Sequence, residues 1–252
     1  MHIILTGATG LVGSGVLDAM LKAKDITKIS IISRRPVQMA IDTNDPRVNV
    51  IIHKDFNSYE PETLSQLAGA RGCVWALGIS QSKVGKEDYV RITKDYALEA
   101  AKAFSTLPKD GEEPFRFIYV SGEGATQKPG MFSPIFARVK GETETALGEM
   151  SSNIPTLKAD SVRPAFVDAA GHEAIQKYLP DPGLAIRTTL TVLGPPLRAF
   201  YKSGHSPTPM LGDFLTRMAM GKVDSQIEGP GAFRLGGSWV VENVGLRRVM
   251  GL

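Results

Sequence analysis

Three glycines, Gly7, Gly10 and Gly13, stand between an apolar run at His2–Leu5 and a helical pattern at Leu11–Lys24. That order suits one task, holding a pyrophosphate. The first glycine permits a tight turn off a strand, the second lets backbone touch phosphate, and the third lets the following helix pack closely. The helix start adds unpaired N–H groups and a partial positive charge. Thr6, Gly7, Thr9, Gly10, Leu11, Val12 and Gly13 are therefore expected to cradle a dinucleotide. Sites selective for NAD place Asp or Glu about 20 residues past such a loop to accept the ribose hydroxyls. Here the end of the second strand reads ISRRP, with Ser33, Arg34 and Arg35 and no acid. An acid repels a 2′-phosphate, whereas an arginine fork binds it through charge-assisted hydrogen bonds. Such a contact is worth roughly 1.5–3 kcal/mol. The expected cofactor is NADP(H). At the next strand ends, Asp55 with Phe56 is placed to meet the adenine, and Ala76, Leu77 and Gly78 to lie along the cofactor.

A fold has to bring these strand ends to one edge. Apolar runs at His2–Leu5, Lys28–Ser33, Val48–His53, Gly72–Leu77, Phe115–Val120 and Thr156–Arg163 read as strands. Between them, Leu11–Lys24, Pro61–Leu67, Asp88–Phe104 and Pro134–Met150 carry helical spacing. This alternation predicts an α/β fold, a Rossmann-type doubly wound parallel sheet, in a single domain over 1–252. After Pro164 the rhythm changes, with Pro180, Pro182, Gly183, Gly194, Pro195, Pro196, Pro207 and Pro209 interrupting apolar segments. Residues 165–252 are read as a small helical cap over the carboxyl edge, on the substrate side. A last strand is expected near Ala232–Leu235 and a last helix over Val240–Val249. Met210, Met218 and Met220 in the cap suit an apolar ligand.

Composition removes several function classes. A formal charge of +3, with no dense basic stripe interleaved with aromatics, argues against nucleic acid as a partner. The lone Cys73 allows no intramolecular disulfide, and its apolar surroundings suit a buried, inert thiol. His2, His53, His172 and His205 are scattered, so no metal site is expected. HEAIQ at His172 lacks the second histidine of a zincin helix, SGEG at Ser121 lacks the leading glycine of a nucleophile elbow, and no GK[ST] follows the glycine loop. The apolar stretch Leu184–Tyr201 is broken by Arg187, Arg198 and Pro195-Pro196 and does not span a bilayer. With no secretory leader read at the N-terminus, the expected compartment is cytoplasmic.

TGATGLVG, SRRP, WALG, YVSGEGA and RVKGETE together resemble the short-chain dehydrogenase/reductase superfamily, in its atypical and extended branches of the HIV Tat-interacting-protein type. The resemblance covers roughly residues 1–167. It implies a catalytic serine at Ser121 and a lysine at Lys140 that also holds the nicotinamide ribose, and it adds Pro164 to the cofactor residues. Members of the superfamily often pair through the helices beside the fourth and fifth strands, which leaves two readings of Asp88–Phe104 and Pro134–Met150, a homodimer interface or a solvent-facing surface. The superfamily's tyrosine lies four residues before the lysine, and that place is Phe136. None of the six tyrosines, Tyr59, Tyr89, Tyr96, Tyr119, Tyr178 and Tyr201, is followed four residues later by lysine. Losing a positioned acid costs about 10²–10⁴ in rate, or roughly 3–5 kcal/mol of barrier. Three functions stay open. One is NADPH-linked reduction of a small apolar carbonyl compound, with water, Tyr89, Tyr178, His172 or His205 supplying the proton. The others are a non-redox isomerase or cyclase, and a catalytically silent cofactor-binding regulator.

Overall fold

In the computed structural model, residues 1–181, Gly194, Pro196 and residues 201–252 are described. The stretch Leu184–Tyr201, apart from Gly194, Pro196 and Tyr201, lies outside them, as do Pro182, Gly183 and Pro195.

The first six strands are β1 (His2–Thr6), β2 (Lys28–Ser33), β3 (Val48–Ile52), β4 (Ala70–Trp75), β5 (Phe115–Val120) and β6 (Leu157–Arg163). They form one parallel sheet in the order β3-β2-β1-β4-β5-β6. Central strands of such a sheet are covered on both faces and read as unbroken apolar runs. β1, with all five residues buried, is an instance. The helices between them are α1 (Leu11–Lys22), α2 (Gln38–Thr43), α3 (Pro61–Gln66), α4 (Lys86–Val90), α5 (Tyr96–Phe104) and α6 (Ile135–Asn153). The strand order reverses between β1 and β4, and ligands of open α/β sheets bind in the crevice at that switch.

The expected single helix Asp88–Phe104 is instead α4, a π-helical turn at Arg91–Asp95, and α5. The Thr93 carbonyl in that turn accepts the buried Tyr119 hydroxyl at 3.2 Å, a contact invisible to periodicity.

Beyond β6, β7 (Phe166–Asp168) pairs in parallel with β8 (His205–Pro207), and the short helix α7 (Glu173–Gln176) follows β7. Helix α8 (Thr208–Ala219) lies along α1 on one face of the sheet. The chain closes with α9 (Asp224–Ile227), β9 (Ala232–Leu235), β10 (Ser238–Glu242) and α10 (Asn243–Val249). β10 runs parallel to β6, and β9 returns antiparallel to it at the sheet's edge. The helix expected to start at Val240 therefore starts at Asn243, because SWVVE extends the sheet. The Gly236-Gly237 turn makes the hairpin, and the Trp239 N–H reaches the Asp160 carboxylate at 2.7 Å.

Two buried clusters sandwich the sheet. One joins α1 and α8 to the sheet through Leu17, Met20, Phe214 and Leu215. The other packs α5 and α6 on the opposite face through Ala97, Ala101, Phe104 and Leu147 against Trp75 and Phe117.

Candidate functional site

The site is built from the glycine loop outward. Gly7 sits at φ +70°, and a Cβ there would come within 2.2 Å of the Ala76 carbonyl oxygen. A Cβ on Gly13 would come within 2.0 Å of the Gly7 carbonyl oxygen. Both positions are closed to any side chain, so the loop lies flat against the end of β4 with α1 pressed onto it. Thr6 fixes the pair by accepting the Leu77 N–H at 3.2 Å. Helix α1 starts at Leu11 with Gly10 as its cap, so free N–H groups open on the crevice.

Three neighbouring spaces with shared lining residues lie along the switch point. A cleft of about 640 Å³ is lined at one end by Gly10, Leu11, Val12 and Ala76-Leu77-Gly78, and at the other by Ser121, Phe136, Lys140 and Pro164. A space of about 110 Å³ adjoins it, bounded by Gly7, Thr9, Ser33, Arg34 and Phe56. A third of about 210 Å³ shares Arg34, Phe56, Leu77 and Gly78 and adds Lys54 and Arg91. The sequence-assigned loop, strand-end and Pro164 positions thus converge on one crevice. Arg35 sits exposed beside it, its N–H on the Ser33 hydroxyl at 3.3 Å. Asp55 behaves differently. Its Oδ1 accepts both the Asn57 backbone N–H at 3.0 Å and the Asn57 side-chain amide at 2.5 Å, and these bonds hold its carboxyl below the usual carboxylate range.

At the far end, Lys140 of α6 donates to the Ser121 carbonyl at 2.5 Å and the Val120 carbonyl at 3.3 Å. Burial pulls its pKa down to about 8, with the Glu144 carboxylate opposing the fall. The Ser121 hydroxyl donates to Glu144 Oε1 at 2.5 Å, so its proton is committed to a neighbour. Glu144 is fully buried and is gripped by Arg163 through Nε at 2.9 Å and Nη2 at 2.6 Å, and by the Gln127 amide at 2.5 Å. Burial works against the Arg163 charge, yet its bonds to Glu144 hold its pKa above the ordinary value. A Cβ on Gly122 would sit 3.5 Å from Lys140 Nζ, so no side chain covers the ammonium on that side. The Phe136 ring lies 3.6 Å from where a Cβ on Gly124 would stand and lines the same cleft.

None of the four substitutes considered from sequence lines this cleft. Tyr89 is buried in α4, and the Tyr178 hydroxyl donates to Asp42 at 2.9 Å. His172 is held between Asp18 at 2.9 Å and Thr208 at 2.8 Å, which ties α1 to α8. His205 pairs with Asp168 at 3.0 Å behind Phe166. Sequence reasoning missed Glu144, Arg163, Gly122, Glu123 and Tyr201. Glu144 carried a signal, since it follows Lys140 by one helical turn and shares its face. Gly122 and Glu123 directly follow Ser121, whereas Arg163 and Tyr201 join the site through the tertiary fold.

The chain is 36% identical over 211 residues to leucinostatins biosynthesis cluster protein T of Purpureocillium lilacinum, covering 77% of this chain and 76% of that one. It is 47% identical over 156 residues to botcinic acid biosynthesis cluster B protein 16 of Botryotinia fuckeliana, covering 62% of this chain and 99% of that one. The rat protein HTATIP2 is 26% identical over 149 residues, 59% of this chain and 57% of that protein. With the glycine loop, the lysine and the sheet order in place, these relatives decide the family. The chain belongs to the short-chain dehydrogenase/reductase superfamily. Solved structures share this fold at low identity. The yeast short-chain dehydrogenase/reductase YIR035C superposes with a TM-score of 0.65 at 13% identity, over 96% of this chain and 95% of its own. MoeE5, solved with UDP-glucose and NAD, gives 0.65 at 14% identity, over 100% and 93%. No family model matches the chain. Among the described residues, no helix is long and apolar enough to cross a membrane.

Proposed function

We propose that this short-chain reductase binds NADP(H) and reduces a small apolar carbonyl compound. One observation carries the reading. Arg34 lines both smaller spaces, and each of these shares Leu77 and Gly78 with the cleft that holds Lys140. The N–H groups at the start of α1 would hold the pyrophosphate, Arg34 the 2′-phosphate, and Lys140 the nicotinamide ribose. A bound nicotinamide supplies hydride chemistry. The chain's own part is to orient a ligand among Leu77, Ile79, Phe136, Phe166, Val167 and Tyr201, a wall more apolar than polar. The substrate side, Pro164–Val167 and Tyr201, comes from the segment after β6. Relatives named for biosynthesis clusters of botcinic acid and leucinostatins support an apolar natural-product intermediate as the substrate class. A cytoplasmic setting and pairing of two copies through α5 and α6 complete the reading. The fmp52 relative of Emericella nidulans is named as mitochondrial, which makes fractionation of the tagged chain the test of the compartment.

The NADP preference is tested by replacing Arg34 with Asp and titrating both reduced nucleotides. NADPH binding is expected to weaken ten- to a hundredfold, with NADH little changed; equal losses refute the preference. Phe136 and the committed Ser121 proton favour a second reading, a cofactor-binding protein or non-redox catalyst without hydride transfer. Restoring the phenol with Phe136→Tyr and following NADPH oxidation against ketones and aldehydes separates the two. A clear gain supports the reductase cleft, whereas no turnover by either form supports the second reading.

A further inference from the structure

We infer that Lys140 itself moves the proton in this cleft, donating it to the carbonyl oxygen of the ligand in the place where relatives of this fold use a phenol. The inference rests on the reductase reading and adds the identity of the acid. Its first support is donor count. An ammonium has three N–H groups, and the carbonyls of Ser121 and Val120 take two. One donor remains. Deprotonated, the amine keeps both carbonyl bonds and presents its lone pair instead, so the group changes protonation state without changing position.

The second support is what surrounds it. Gly122 leaves Nζ uncovered, and Phe136, one turn earlier on α6, lines the same cleft without competing for a proton. Two other hydroxyls are engaged. The Ser121 hydroxyl is bonded to Glu144. The Tyr119 hydroxyl is bonded to the Thr93 carbonyl, and burial pushes its pKa up. Tyr201, 53% exposed, also lines the cleft and is the phenol that experiment has to separate from Lys140. Most of the charged groups around the lysine are paired. On α6, Glu144 is neutralised by Arg163 of β6. After β5, Glu123 also lines the cleft, and burial followed by the nearby Glu242 raises its pKa. From the π turn, Lys94 pairs with Glu142 at 3.0 Å. Beside β7, Asp168 pairs with His205. Burial brings the Lys140 pKa to about 8, close to a working pH, where a general acid is most effective.

The step balances. The electron pair of the hydride given up by NADPH forms the new C–H bond, and the carbonyl π pair takes the Lys140 proton to form O–H. The nicotinamide is left oxidised, and the neutral amine regains its proton from water.

The test labels the full-length protein competitively with acetic anhydride between pH 6 and 11, and reads Lys140 against the exposed Lys24 and Lys102 by peptide mass spectrometry. Lys140 is expected to reach half-maximal labelling near pH 8, at lower pH than the two exposed reference lysines, and to be protected by NADPH. Turnover of carbonyls is expected to fall tenfold per pH unit above that midpoint. Lys140→Arg, assayed at saturating NADPH so that any weakened binding is overcome, is expected to lose about 10²–10⁴-fold in turnover. An ordinary midpoint for Lys140, no labelling at any pH, or full turnover by Lys140→Arg overturns the inference. Loss of turnover in Tyr201→Phe alone assigns the role to Tyr201. A protein that binds no NADPH overturns the parent reading as well, whereas bound NADPH beside an ordinary Lys140 overturns this inference only.

Discussion

Glu144 and Arg163 form a buried ion pair behind the cleft, with side-chain exposures of 0% and 8%. Such a pair is weak evidence for net stability, but removing one partner strands the other charge in a low-dielectric interior, at about 3–5 kcal/mol. Glu144→Ala is therefore expected to lower unfolding free energy by about that amount in a urea titration. Glu144→Gln retains two acceptor lone pairs on its amide oxygen and is expected to lose less. Equal stability for Glu144→Ala and the parent would show that water or a shifted side chain replaces the carboxylate. The same residue also decides the serine's chemistry. Because the Ser121 proton goes to Glu144, the serine presents lone pairs to its other neighbours.

At the scale of elements, α1 and α8 meet through small residues. A Cβ on Gly212 would approach the Gly15 carbonyl oxygen to 2.3 Å, and one on Gly15 would meet the Thr208 carbonyl oxygen at 3.0 Å. Both are backbone contacts, so added volume has to move a helix. Gly212→Ala is expected to cost about 1–3 kcal/mol and to lower the thermal midpoint followed by circular dichroism. An unchanged midpoint would mean that α8 slides along α1 without loss. Helix α1 also opens the glycine loop, so the strain reaches the cofactor end of the crevice, and weakened NADPH binding is expected in the same variant. The π turn between α4 and α5 acts at the other end, where Thr93 lines the cleft and its carbonyl holds Tyr119. Single π turns recur at functional positions because they re-aim groups that a regular helix would point elsewhere.

At the scale of the molecule, the reversal between β1 and β4 creates the crevice, and the buried N-terminal strand that borders it carries a pH response. His2 shares a hydrogen bond of 2.8 Å with Ser30 across β1 and β2. Burial, reinforced by the Lys28 charge, lowers its pKa from 6.5 to about 4. Between those values the unfolded chain binds a proton that the folded chain rejects, so stability falls as pH drops from 6.5 towards 4 and this contribution levels off below. His2→Gln is expected to flatten that part of the thermal-midpoint profile against the parent protein. Identical slopes for the two proteins would remove His2 as the cause.

The glycine spacing and the apolar runs were enough for the sequence to determine the α/β class and the positions of β1 to β6, and to place the glycine loop beside the strand-end arginine Arg34. Each of these depends on neighbours a few residues apart, which periodicity and turn chemistry record. Lys140 and the missing phenol at Phe136 were legible for the same reason, as neighbours on one helical face. The tertiary structure alone decided where side chains spend their hydrogen bonds. Ser121 meets Glu144 from 23 residues away, and Trp239 reaches Asp160 from 79 away, making a strand of residues first read as helix. No local pattern encodes those contacts. They exist because the parallel sheet brings distant segments to one edge, and burial there forces each polar group to find a partner.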